Sequence, residues 1–591
     1  MLPIVDFNVA GSCSLAEFAG FELETKMMQI KSSGHFWTVF AAVALIIIIG
    51  AGVVWSLHHP FGTSWDEAEY LNQAQIDGQR LHHGMLLRLG GRILLKSAGR
   101  PPAYRVFALP LLGLFGFHTV VVRLVSLACF ALSSLFVYLA ARRARNSVAG
   151  GFAVLIFCLS PLAVAASMWF STEGPLYLAT SAMLYYIFKC WTDKLETWSS
   201  WVGLGLAIGT GLLAKASFIA IVVPVLALWL ALKRRPELGI PNLASQWKAG
   251  LLALLVAAPW WFLNIKPAIS MTQQARGFVS NSLGSPSPVT WLRWLGTAGR
   301  SLLGYGLSIL ITLVVIAALR EAIVRKKVFL DPFQRLALGV CVCAGAPILL
   351  AQLTGTNHLL RHISPAVIPL AVSVGVLADW SGWARAGLSV AISGVLFCAQ
   401  LAVIVAPVLF PNHRPVNVGT VNAQYPWRVM ARVDQWDWTP VEEISRSCAL
   451  DGPRISYLGA SRAFNPPQIE RPFAAAVAST SLATFPYPDV VWLWRYEQGP
   501  INWQEVITSA KESDIAITAP HFVGEVGSSD DLNNQHNSEF ADRLSRDPRF
   551  RGPTRLQMGR FEPIEVLVFV KQSLVCHSGD QTTPAGWQGP F

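Results

Sequence analysis

Apolar residues in this chain come in long unbroken blocks, not in the short periodic runs of an amphipathic soluble fold. From Phe36 to Leu57 there are 22 residues and no charge. As a helix that block is ~33 Å long, enough to cross a bilayer's hydrocarbon core. Similar blocks, bounded by charged and aromatic residues, fall at 119–141, 148–169, 174–190, 200–214, 216–232, 249–265, 295–319, 336–353, 363–380 and 386–409. The pattern predicts a polytopic α-helical membrane protein with about 11 transmembrane helices. Blocks 200–214 and 216–232 are each short, so one tilted helix plus a re-entrant piece is the alternative reading there. Beyond 409 the pattern changes. Strand-like runs "RISYLG", "DVVWLW", "DIAITA" and "IEVLVFV" alternate with helical stretches at 502–513 and 538–545, which predicts a small α/β domain. The expected division is a cytoplasmic segment 1–35, a membrane domain 36–409 with a long outer loop 58–118, and an exported domain 410–591.

Composition supports the membrane assignment. The chain is 53% hydrophobic and only 14% charged, whereas soluble domains carry about 25% charged residues. The net charge of +11 does not point to nucleic acid, because the basic residues sit between apolar blocks and not on one polar face. They act instead as topology signals. With the N-terminus inside, cytoplasmic loops receive Arg142, Arg143, Arg145, Lys189, Lys194, Lys233, Arg234, Arg235, Lys248, Arg320, Arg325, Lys326, Lys327, Arg335 and Arg385. The opposite short loops receive only Lys215, Lys266, Arg276, Arg293 and Arg361. An odd number of spans then places 410–591 outside. Loop 58–118 breaks the rule with Arg80, Arg88, Arg92, Lys96, Arg100 and Arg105. Its "GMLLRLGGRILL" stretch predicts interfacial helices resting on anionic lipid headgroups. Residues 1–30 carry Asp6, Glu17, Glu22 and Glu24 without a basic n-region, unlike a signal peptide, and Met27 or Met28 is a candidate start.

The nine cysteines form no CxxC. Cys129, Cys158, Cys190, Cys341, Cys343 and Cys398 lie in apolar blocks as small hydrophobes, whereas Cys448 and Cys576 could pair if their domain is exported. His58, His59, His82 and His83 read as interfacial histidines, since no carboxylate or cysteine completes a tight metal site.

The outer loops gather unusual charges. "SWDEAEY" follows the first span, "GRPPAYR" precedes the second, "STEGP" precedes 174–190, and Lys215 and Arg361 lie at later span ends. Acids and cations meeting at a membrane surface suit a sugar carried on a lipid phosphate. In order and spacing the chain resembles the GT-C glycosyltransferases that use polyprenyl-phosphate sugars, particularly the aminoarabinose-transferase-like and protein mannosyltransferase-like group. Their Asp-Glu-Ala-x-Tyr element is matched by Asp66, Glu67, Ala68 and Tyr70, and their Lys/His-Pro-Pro-Leu-x-Tyr element resembles Arg100 to Tyr104. A following Arg-Leu is matched by Arg123-Leu124, Thr-Asp-x-Pro by Thr172 to Pro175, Gly-Leu-Leu-x-Lys by Gly211 to Lys215, and Arg-Tyr-x-x-Pro-x-x-x-Pro by Arg361-His362 with Pro365 and Pro369. The resemblance covers roughly residues 40–400. Three departures stand out: Glu173 replaces Asp, Arg100 replaces Lys or His, and Glu69 stands where a basic residue is common.

The resemblance implies a membrane glycosyltransferase acting on the outer face, with a polyprenyl-phosphate-linked sugar as donor and a lipid, polysaccharide or protein hydroxyl as acceptor. Such a transfer calls for one positioned carboxylate as general base and cations for the phosphate leaving group. Asp66 is the expected base. Glu173 is a second catalytic carboxylate that orients sugar, acceptor or a divalent cation. Glu67, Tyr70, Arg100, Tyr104, Arg123, Lys215 and Arg361 are the expected substrate-binding residues. Plainer roles stand beside these: loop acid for Asp66, cap or salt bridge for Glu67, helix N-terminal charge for Glu173, snorkelling for Arg123, turn lysine for Lys215 and interfacial anchor for Arg361. A transporter or flippase of lipid-linked sugars is the competing class, but its polar sites belong near the bilayer midplane on repeated, broken helices. Here the charges sit at outer span ends. A catalytically inert anchor for the exported domain would leave them without a purpose.

Overall fold

The computed structural model describes residues 15–576 apart from 63, 96–99, 194–196, 233–246, 284–287, 325–329, 355–359, 410–435, 451, 462, 479–486, 525–528 and 560–562. Helix α1 (Leu15–His58) contains the first apolar block, and α5 (Thr119–Ala144) the second. Between them lie α2 (Trp65–His82), α3 (Leu86–Leu95) and α4 (Ala103–Phe115). Three helices thus occupy the loop for which interfacial helices were expected. Then follow α6 (Ser147–Cys158), α7 (Pro161–Met168), α8 (Glu173–Asp193), α9 (Trp198–Ala214) and α10 (Ile219–Leu232). Helices α11 (Trp247–Leu283), α12 (Pro288–Val324), α13 (Pro332–Thr354), α14 (Val367–Trp380) and α15 (Gly387–Leu409) complete the apolar part.

Each apolar block of the sequence falls on helix, but not each on one straight span. Among the described residues, seven segments are long and apolar enough to cross a membrane: 34–58, 119–144, 247–270, 298–324, 332–351, 361–380 and 387–406. Block 148–169 is instead two helices, α6 and α7, bent by 65°. The cause is local. Pro161 at the first position of α7 has no N–H for the preceding turn, and Ser160 caps the new helix by accepting from Ala163 N. Blocks 200–214 and 216–232 are two shorter helices joined at Lys215. A second break lies inside α12 at Gly304, whose φ of 66° is in the left-handed region. A buried amide serves both breaks. Gln400 Nε2 donates to Leu159 O (3.2 Å) and Leu303 O (3.3 Å), satisfying carbonyls that lipid could not. A Cβ on Gly304 would lie 2.5 Å from that same Nε2. At the other ends of these helices, Asp379 accepts from Arg145, Asn146 and Arg385, pinning the α5–α6 turn to the end of α14.

The chain after 435 opens with α16 (Thr439–Ser447) and builds one five-stranded sheet. Strands β1 (Arg454–Leu458), β2 (Asp489–Trp492) and β3 (Ile515–Thr518) pair in parallel, and β4 (Phe550–Met558) and β5 (Ile564–Lys571) add antiparallel, in the order β2-β1-β3-β5-β4. Cys448 and Cys576 are disulfide-bonded. The pairing that the sequence left open is therefore made. Of the six other cysteines among the described residues, four are buried, Cys343 is half-buried and Cys398 is exposed.

The sheet part is seated on the segment between α1 and α5 by α17 (Pro466–Ala478), which packs along α2. Asn72 Nδ2 donates to Pro467 O (2.8 Å), Gln79 to Ala474 O (3.4 Å), and Gln468 Nε2 to Gly62 O (2.7 Å). Asn72, Gln75 and Gln79 recur at helical spacing along one face of α2. The opposite face is left for the charged residues described next.

Candidate active site

Helix α2 starts where the first span ends. Ser64 caps it by accepting from Glu67 N (3.2 Å), which places Asp66 and Glu67 in its first turn, where the helix dipole favours anions. The two neighbouring acids then point to different surroundings and do different things. Asp66 is partly exposed. Its Oδ2 lies 2.5 Å from Arg361 Nη2 and its Oδ1 3.1 Å from Arg100 Nη2. Arg100 reaches Glu69 Oε2 with its other arm (2.9 Å) and rests 5.2 Å above the Tyr70 ring. Burial raises the Asp66 carboxyl, but Arg361 and Arg100 together outweigh it and hold the group below the usual range. Glu69 moves the other way, because burial and the Asp66 charge exceed the pull of Arg100.

Two further groups arrive from distant helices. Glu173 opens α8 after the Trp169–Thr172 link, is buried, and receives Lys215 Nζ on Oε1 at 2.7 Å. Lys215 stands at the α9–α10 joint, the weakest boundary in the sequence pattern, where extended backbone at φ −158° interrupts the helix. Arg361 comes from a 3₁₀ turn (Leu360–Ala366) ahead of α14 and lies 5.6 Å from the Trp169 ring. Asp66, Arg100, Glu173, Lys215 and Arg361 thus meet in one cluster at the ends of their helices. Glu69 belongs to it as well, although it entered the sequence reading only as a departure from the family motif. Trp169 was missed as a site residue. Its signal was its place just ahead of "STEGP".

Four of the expected substrate contacts lie inside the protein. Glu67 and Arg123 are fully buried and paired with each other: Arg123 Nε to Glu67 Oε1 is 2.8 Å and Nη2 to Oε2 is 3.0 Å. Arg123 also donates to the carbonyls of His59 and Phe61, and Phe170 N donates to Glu67 Oε1. With every arm committed to protein, the pair staples the end of span 1, the start of α5 and the α7–α8 link. Tyr70 and Tyr104 are also buried, their rings 4.6 Å apart and inclined at 52°, with Phe170 5.5 Å beyond Tyr104. They form the floor beneath Arg100 and do not line an open site. His59 is likewise buried against Trp55, whereas His58, His82 and His83 are exposed or nearly so. Among the described residues no three His, Cys, Asp or Glu side chains cluster as metal ligands.

Comparison with known proteins shows what this arrangement is similar to. The model of the dolichyl-phosphate-mannose-protein mannosyltransferase family matches residues 99–262. The crystal structure of ArnT from Cupriavidus metallidurans in the apo state superposes with a TM-score of 0.52 at 15% identity, covering 90% of this chain and 98% of that one. This chain has the GT-C glycosyltransferase fold. ArnT bound to undecaprenyl phosphate matches it with a TM-score of 0.51 at 14% identity, over 90% of this chain and 97% of that one. In sequence, this GT-C chain is 32% identical over 174 residues to the undecaprenyl phosphate-alpha-4-amino-4-deoxy-L-arabinose arabinosyl transferase of Erwinia tasmaniensis. That alignment takes in 28% of this chain and 29% of the curated relative, so the matched stretch is under a third of either. The chain is a multi-pass membrane protein related to polyprenyl-phosphate sugar transferases.

Proposed function

We propose that this protein transfers a sugar from a polyprenyl-phosphate donor to an acceptor hydroxyl on the outer face of the inner membrane, with inversion at the anomeric carbon. The observation that carries this reading is the Asp66 carboxylate held between Arg361 and Arg100, with Lys215 on Glu173 beside it. Three cations converge where a lipid phosphate would leave, and the charge developing on its oxygens is what they stabilise. In the resting arrangement Asp66 and Glu69 occupy the guanidinium forks. An arriving phosphate takes those contacts over, and Asp66 loses the partners that depress its basicity. It then accepts the proton of the attacking hydroxyl. Glu173, buried against Lys215, positions the sugar. Each acid already faces a protein cation, so the donor set suits a phosphate and fits a divalent cation poorly. The acceptor is a lipid, a polysaccharide or a protein.

Arg100 gives this reading a direct test. Arg100→Ala weakens binding of sugar-free undecaprenyl phosphate by ten- to a hundredfold, since each charge-assisted bond is worth about 1.5–3 kcal/mol. Arg100→Lys retains part of that. Titration of the purified protein with the lipid measures both, and an unchanged affinity for Arg100→Ala would make the residue a headgroup anchor only.

The side of the membrane is checked separately. A phosphatase fused to the C-terminus is active in intact cells, and one inserted between 233 and 246 is inactive. The opposite pattern would move the site to the cytoplasmic face.

A further inference from the structure

A cavity of about 310 Å³ lies between the C-terminal part and the outer rim of the membrane helices. Its walls are aromatic, with Phe61 and Phe117 on the membrane side and Trp436 and Trp438 on the other. The chain fixes its depth. Phe61 follows the last residue of α1 by three positions, and Phe117 precedes the first of α5 by two. Both helices contain segments apolar enough to cross a bilayer, so the cavity sits where their hydrocarbon-embedded stretches end, at the level of lipid headgroups.

Arg471 of α17 brings the charge. Its Nη2 donates to Thr119 Oγ1 at 2.8 Å and Pro60 O at 3.4 Å, and its guanidinium lies 5.7 Å from the Phe117 ring. Its Nη1 is buried and has no hydrogen-bond partner. Among the described residues no carboxylate forms a salt bridge with it, and the cavity lining contains no acid. Glu67, the acid that acts on it electrostatically, is already committed to Arg123. Burial, with Arg123 behind it, pushes the guanidinium down to about 10, so it remains charged at neutral pH. Gln75 and Gln468 contribute amides to the same lining. Arg471 as a whole is half-buried, but a buried, unpartnered guanidinium arm is expensive unless a ligand supplies an acceptor.

We propose that this cavity binds a lipid phosphate, its oxygens taken by the unpaired arm of Arg471 and its headgroup enclosed by the four aromatic rings. The volume is that of a small headgroup, too small for a folded peptide or a glycan chain. The site is separate from Asp66, because Gln75 lies nine positions further along α2 and therefore on its opposite face. Nor does it depend on the proposed transfer. A lipid seated here touches the first two spans and the sheet-bearing part together, and so holds that part down on the membrane. Two lipids carry the required chemistry: an anionic phospholipid of the bilayer, and polyprenyl phosphate itself.

Native mass spectrometry of the full-length protein in detergent tests the proposal, with phosphatidylglycerol, phosphatidylcholine and undecaprenyl phosphate added in turn. Wild type retains phosphatidylglycerol, and Arg471→Gln weakens that retention tenfold or more. Thr439→Trp fills the cavity rim without removing charge and weakens it too, which decides the matter if Arg471→Gln folds poorly. Arg100→Ala leaves phosphatidylglycerol retention unchanged, separating this site from the one around Asp66. Undecaprenyl phosphate retained in an Arg471-dependent way by Arg100→Ala would support the site and name polyprenyl phosphate as its lipid. Wild-type phosphatidylglycerol retention by both Arg471→Gln and Thr439→Trp overturns the proposal, as does retention of phosphatidylcholine by wild type as strong as that of phosphatidylglycerol and unchanged in Arg471→Gln.

Discussion

Asp66→Asn is expected to reduce sugar transfer by roughly 10²–10⁴-fold, the usual cost of losing a general base, while the protein still inserts and purifies normally. The substitution keeps the shape of the side chain and removes the charge that Arg361 and Arg100 hold. Donor binding should survive or improve, because the two guanidiniums are released toward the phosphate. The signature is therefore split: turnover collapses and affinity for sugar-free polyprenyl phosphate does not. Near-wild-type turnover by Asp66→Asn would remove Asp66 from the chemistry. A parallel loss of turnover and lipid-phosphate binding would make it a structural partner of the arginines instead.

The second large effect concerns folding and not chemistry. Arg123→Met leaves Glu67 buried without its partner and strands the carbonyls of His59 and Phe61, so it should destabilise the protein by about 3–5 kcal/mol. Glu67→Gln should be milder, since an amide still accepts from Arg123. The double change Glu67→Leu with Arg123→Met should recover part of the loss, because no unpaired charge remains. Thermal unfolding in detergent measures all three. If Arg123→Met melted like wild type and lost only lipid-phosphate binding, the pair would belong to the substrate after all.

That contrast marks how far the sequence could be read. The acid doublet after the first span, the basic "GRPPAYR" and the lone Lys215 and Arg361 were visible as charges placed where charges are costly, and they do converge. Which acid of the doublet faces the site was not visible. Asp66 and Glu67 differ by one helical step of about 100°, and that step sends one to the cluster and the other to the protein interior. Arg123 looked like a phosphate ligand because nothing in its neighbourhood announces the carbonyls of His59 and Phe61, which lie more than sixty positions earlier. Strand β4 escaped notice for a local reason. "FRGPTRLQM" holds Gly552 and Pro553 in its middle, and the register shift between Arg551 and Thr554 shows how an edge strand accommodates them. The bend in block 148–169, read from the sequence as one span, has its local signal in Ser160-Pro161. Its relief by Gln400, 241 positions away, has none. The docking of α17 on α2 likewise rests on contacts 395 positions apart, which no local pattern encodes.

The account rests on transfer of a lipid-linked sugar at the Asp66 cluster, and one measurement tests that most directly. Lipids, polysaccharides and envelope proteins would be compared by mass spectrometry in cells lacking the protein, in the same cells carrying wild type, and in cells carrying Asp66→Asn at equal membrane levels. The account predicts a single sugar-mass increment on one class of acceptor with wild type, absent both from the deletion and from Asp66→Asn. Three identical profiles, or an increment that Asp66→Asn restores in full, would contradict it.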